Sequence, residues 1–180
     1  MRAIAILMLG LLAGCAAPGD RIVTTGFMPA YSPAQFAAFA AAGPLVEVRG
    51  APADGADAQA VADVLRLPGW WPQTPFRAVS PAEAAGRQRI VIAFGWPGGL
   101  DPDRLCAGQA PEPRQTAGLE VAAAWCSGSR AGSGGRLSHP KPLTPADPQF
   151  AAVMTRLFHA IAPADDPLDR NRGGHIFIPD

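Results

Sequence analysis

The residues best equipped for chemistry crowd into one stretch. Ser127, Ser129, Ser133 and Ser138 lie within 12 positions of His139, and carboxylates are plentiful elsewhere. A serine hydrolase needs a nucleophile, a base and an acid that orients the base. The strained Gly-x-Ser-x-Gly elbow is missing, because the order here is Gly128-Ser129-Arg130-Ala131-Gly132. The glycines could also suggest a phosphate cradle, which requires a helix amino terminus and a lysine directly after them. Gly134-Gly135 instead leads into Arg136-Leu137-Ser138-His139-Pro140. The stretch therefore reads as a flexible connection, a wide hairpin, and no catalytic residue is assigned. His159 falls opposite the apolar stripe of the last helix, and no His-x-x-x-His pair supports a zinc centre.

A weaker metal pattern ends the chain. Asp169, Asn171, Gly174, Ile176 and Asp180 echo the spacing of a calcium loop. Gly173 removes a side-chain ligand, however, and Pro163 and Pro167 interrupt the entering helix. A polar tail closing in a short strand at Ile176-Phe177-Ile178 is the simpler expectation, so no metal and no cofactor are assigned.

The amino terminus carries different information. Met1-Arg2 precedes an apolar run from Ala3 to Leu12. As a helix rising about 1.5 Å per residue, this run reaches only about half of a hydrocarbon core of roughly 30 Å. It fits a signal-peptide core and not a membrane span. Leu12-Ala13-Gly14-Cys15 then resembles the lipobox of bacterial lipoproteins. The resemblance implies diacylglycerol on Cys15, cleavage before it and acylation of the new amino terminus, with residues 1–14 removed. Ala16, standing where an inner-membrane retention Asp would be, implies an outer-membrane lipoprotein facing the periplasm. An ordinary secretory leader with a chance cysteine is the alternative. Several acyl chains, at about 0.8 kcal/mol per buried methylene, would make such an anchor permanent.

With Cys15 claimed by lipid, Cys106 and Cys126 remain as an even pair in an oxidising compartment. A disulfide between them would add roughly 3 kcal/mol by restricting the unfolded chain. Two free buried thiols are the bland alternative. Charge excludes one class of partner: 15 Lys+Arg face 15 Asp+Glu, and Lys141 is the only lysine, so nothing marks a nucleic-acid binder. The 20 Pro and 20 Gly suit both loops and a GC-rich coding bias. Trp70, Trp71 and Trp96 sit at loop junctions and could form a patch for a protein or glycan partner. They could equally plug the core beneath Pro-rich loops.

Certain elements must position these residues. Ser32-Pro33-Ala34-Gln35, Ser80-Pro81-Ala82-Glu83 and Thr144-Pro145-Ala146-Asp147 each have the grammar of a helix start. Asp57 caps a further helix through Leu65, and Phe150, Val153, Met154, Leu157, Phe158 and Ile161 form one stripe of the last. Strands are expected at Leu45–Arg49, Phe76–Val79, Arg89–Phe94 and Leu119–Cys126, with Arg21-Ile22-Val23 as an optional edge. The run Ile90-Val91-Ile92-Ala93 suits a strand covered on both faces. Pro97 to Gly118 reads as a long loop that the disulfide would pin to the Trp125 strand.

The expectation is an α+β protein: a single domain with a mixed four- to five-stranded sheet and helices mainly on one face. Its organisation is a leader over 1–14, a lipidated tether over 15–30, a globular domain over 31–162 and a polar tail over 163–180. The expected role is a membrane-anchored envelope lipoprotein, a non-catalytic binding or assembly module that engages an envelope protein partner. The alternative is a periplasmic serine-type hydrolase acting on cell-envelope material.

Overall fold

Six strands form one mixed sheet in a computed structural model that describes residues 19, 21–96, 99, 101–109 and 112–169. The strands are β1 (Arg21–Phe27), β2 (Leu45–Arg49), β3 (Arg77–Ala78), β4 (Gln88–Phe94), β5 (Leu119–Ser127) and β6 (Arg130–His139). Their order is β1-β6-β5-β4-β2-β3. β4, β2 and β3 run parallel, while β4, β5, β6 and β1 alternate in direction. The helices are α1 (Pro33–Ala41), α2 (Ala58–Val64), α3 (Pro81–Ala84), α4 (Pro102–Cys106) and α5 (Pro148–Ile161). The architecture is the expected α+β domain, with six strands where four to five were expected. The edge strand β1 runs to Phe27, so part of the segment assigned to the tether belongs to the sheet.

The alternation of β4 and β5 explains the two layers. Ile90, Ile92 and Phe94 face one side with Val121, Ala123 and Trp125, where α1, α2 and α5 build the main core. Val91 and Ala93 face the other side with Ala122, Ala124 and Cys126, beneath α4 and Trp96. The two central strands are therefore apolar from Ile90 to Phe94 and from Val121 to Cys126, as strands covered on both faces must be. The six-residue stripe of α5 is wholly buried. Tyr31 Oη donates to the Pro163 carbonyl at 2.6 Å, which ties the segment after β1 to the end of α5. Burial, with the charge of Asp166 second, pushes the Tyr31 hydroxyl pKa well above its usual value.

Local signals decide the helix ends. The Ser32 and Ser80 side chains cap α1 and α3, the latter in a full capping box with Glu83. Asp57 accepts from the Ala60 amide at 2.8 Å to start α2. α5 departs from expectation by one turn. Thr144 N–H donates to the Asp147 carboxylate at 2.7 Å, closing a turn, and the helix begins only at Pro148. A proline suits the first helical position, so the later of the two prolines takes it.

The glycine-rich stretch is the larger correction. It is not a flexible connection: Gly128-Ser129 makes a tight turn, and Gly132, Gly134 and Gly135 lie inside β6. A Cβ on Gly134 would stand 2.7 Å from Pro102, and one on Gly135 2.6 Å from Ile161. Helices press on both faces of the strand there, so the glycines serve close approach. Among the described residues no helix is long and apolar enough to cross a membrane. Residues 1–14, Cys15 and most of the Asp169–Asp180 segment lie outside the described residues.

Candidate functional site

A crevice opens at the carboxyl ends of the parallel neighbours β2 and β4. The chain leaves β2 for α2 on the main-core face, but leaves β4 for α4 on the opposite face. Adjacent strands whose connections depart to opposite sides leave a gap between them, the usual ligand position in open sheets with parallel strands. Both strands end on glycine with positive φ, Gly50 at 67° and Gly95 at 64°. A Cβ on Gly50 would lie 2.9 Å from the Phe94 carbonyl oxygen, and one on Gly95 would run into the Arg114 carbonyl. Only glycine lets the two chains turn away this tightly.

The main cavity holds about 550 Å³, bordered by Pro52, Phe94, Pro113, Leu119 and Leu143, with Arg114, Gln115, Thr116 and Glu120 as its polar residues. A smaller annex of about 140 Å³ adjoins it, lined by Arg49, Trp96 and Glu112. Arg114 N–H donates to the Gly95 carbonyl at 2.8 Å, and Leu119 N–H to the Lys141 carbonyl at 3.0 Å, so the wall formed by 113–118 is fixed at both ends. Glu120 is already engaged: it accepts from Ser138 Oγ at 2.6 Å and from Arg136 at 2.9 Å. The Arg114 guanidinium has no hydrogen-bond or ion-pair partner among the described residues.

A buried charge cluster joins β2, β4 and α4, and its Arg49 lines the annex. Glu47, only 1% exposed, accepts from Arg89 Nε at 2.7 Å and from Arg49 Nε at 2.7 Å. Arg89 also donates to the Cys106 carbonyl at 2.8 Å and the Gly128 carbonyl at 2.9 Å. One guanidinium thus joins β4, β2, α4 and the β5–β6 turn. Beside it, Cys106 and Cys126 form the expected disulfide with a Cα–Cα distance of 5.5 Å, fastening α4 to β5. Sequence reading missed Glu47, Arg49 and Arg89. Their signal was available as charges at alternate places within strands that are otherwise apolar.

The serines and histidine weighed for hydrolysis are not brought together. Ser127 and Ser129 flank the turn before β6, whereas His139 closes that strand, ten residues long. At about 3.3 Å per residue the ends stand roughly 30 Å apart. Ser133 is fully buried, and His139 Nδ1 is engaged by Lys141 N–H at 3.1 Å. The three tryptophans also separate. Trp71 belongs to the main core and Trp96 to the opposite cluster, while Trp70 alone is exposed, at 48%. The indole N–H groups of Trp70 and Trp71 both donate to the Ala162 carbonyl, at 3.2 and 2.8 Å. Trp70 packs edge-on to His159 with centroids 4.5 Å apart. Comparison with protein-family models, with curated proteins and with solved structures gives no match to this chain.

Proposed function

We propose that this protein is a non-catalytic binding or assembly module of the bacterial cell envelope, lipid-anchored through Cys15 and facing the periplasm. The observation that carries the binding role is the crevice: glycine-bent strand ends and a fixed loop wall make a concave surface, and the one carboxylate among its described lining residues, Glu120, is held by both Ser138 and Arg136. The serine-type alternative loses ground because Ser129 and His139 stand at opposite ends of β6. Two features support the compartment. The leader resembles a lipobox, and the Cys106–Cys126 pairing suits an oxidising environment.

In-cell crosslinking followed by mass spectrometry tests this reading, with Cys15→Ser as the mislocalised control. The expected result is a discrete envelope partner captured by the native chain and lost with the control. Abundant native protein that captures no envelope partner, or a partner retained equally by the control, would overturn it.

A further inference from the structure

We propose that the crevice at the ends of β2 and β4 binds a small organic acid: one carboxylate on an apolar aryl or alkyl body. This rests on the binding-module reading and adds the chemistry of the ligand. The position follows from topology, since the crevice lies where the connections after two parallel neighbours diverge. Its volume of about 550 Å³ falls within the range of small-molecule sites. Phe94, Leu119 and Leu143 border it from the main core, each no more than 5% exposed, and with the prolines at 52 and 113 they leave a limited carbon surface for an apolar body.

Charge selects the polar end. Glu120 is satisfied by Arg136 and Ser138, so it does not call for a cationic ligand. Arg114 is different. Arg114 is exposed and borders the cavity, its backbone is held to Gly95, and its guanidinium has no partner among the described residues. A planar guanidinium pairs with a carboxylate through two parallel hydrogen bonds, and does so better than a lysine point charge. Gln115 borders the same cavity and adds an amide donor for the second carboxylate edge, whereas the Thr116 hydroxyl already donates to the Gly118 carbonyl at 2.6 Å. Glu112 sits at the annex, so extra negative charge on the ligand would be opposed there. A singly charged acid with an apolar tail meets all these conditions.

The test uses the purified full chain carrying Cys15→Ser, so that acyl chains do not take up the probe. 4-Phenylbutyrate is titrated while backbone amide resonances are followed, and 4-phenylbutanamide serves as the uncharged match. Saturable shifts centred on Gly95, Arg114, Thr116 and Leu119 are expected with the acid. The amide, and the acid against Arg114→Gln, should bind about tenfold more weakly, the scale of one lost charge-assisted hydrogen bond. Arg114→Lys should recover part of that loss. Equal binding of acid and amide, unchanged affinity in Arg114→Gln, or shifts scattered over the surface would each overturn the inference. Crosslinking separates it from its parent reading. A captured envelope partner without saturable acid binding removes the ligand and leaves the module, whereas failure of both removes both.

Discussion

Replacing Arg89 with methionine keeps a long apolar stem and deletes every donor that the guanidinium supplies. Four acceptors lose a partner at once: Glu47 Oε2 and the carbonyls of Cys106, Gly128 and Arg87. Arg89 is 5% exposed and Glu47 1%, so water cannot readily replace what is lost. Removing one member of a buried ion pair costs about 3–5 kcal/mol, because the remaining charge is stranded. Arg49 still donates to Glu47, which places Arg89→Met near the lower end, about 3 kcal/mol. For a chain of this size that corresponds to a melting temperature about 6–12 °C lower. Adding Glu47→Leu removes the stranded carboxylate as well. It leaves only Arg49, whose side chain is 19% exposed and can turn to water. The double variant should therefore cost no more than Arg89→Met alone, with a coupling energy of about 1–3 kcal/mol in the cycle. Urea denaturation of the four proteins measures this. A single-variant cost below about 1 kcal/mol, or strictly additive costs, would refute the view that this cluster acts as one buried unit.

Three further outcomes are expected. Cys106→Ser with Cys126→Ser opens a crosslink of separation 20 and should lower stability by about 3 kcal/mol; an unchanged urea midpoint would show that the bridge adds nothing. The Ser80 backbone amide, then its hydroxyl, hold the Glu83 carboxyl below its usual 4.5. Its contribution is thus present above the unfolded value and lost as pH falls through the lower folded one. Glu83→Gln should weaken the protein at neutral pH and match it in strong acid, with thermal melts across pH as the check; an offset that persisted in acid would count against the capping charge. Gly95→Ala places a Cβ at positive φ and against the Arg114 carbonyl, so a loss of about 1–3 kcal/mol is expected. Gly55→Ala, at positive φ but in open space, should cost less in the same denaturation experiment.

Local signals carried much of the fold. The capped starts at Ser32, Asp57 and Ser80 need only a few adjacent residues to work, and all three begin helices. The α5 stripe and the apolar run of β4 are periodic, so burial could be read from spacing. The misreadings came where a second element decides the outcome. Gly132 to Gly135 look mobile in one dimension, yet Pro102 and Ile161 press on them from opposite faces. Trp70 and Trp71 are identical in type and share an acceptor at Ala162, and only their distant neighbours settle which ring goes inward: Trp71 packs on Phe36, Trp70 on His159. The short helix α4 was hidden in a Pro- and Gly-rich stretch because its anchors, Arg89 and Cys126, are distant in sequence.

By itself the sequence determined the alternation of helices and strands, the even cysteine pair and the leader that resembles a lipobox, since each depends on neighbours within a few turns of chain. The crevice was decided only by tertiary structure. It exists because β2 and β4 lie side by side while their connections leave for opposite faces, and strand order is a long-range choice that no local pattern encodes. The same choice puts Glu47 against Arg89 and brings Arg114 to the border of the cavity. Those charges look ordinary along the chain and acquire a role only through the dry or open surroundings that packing gives them.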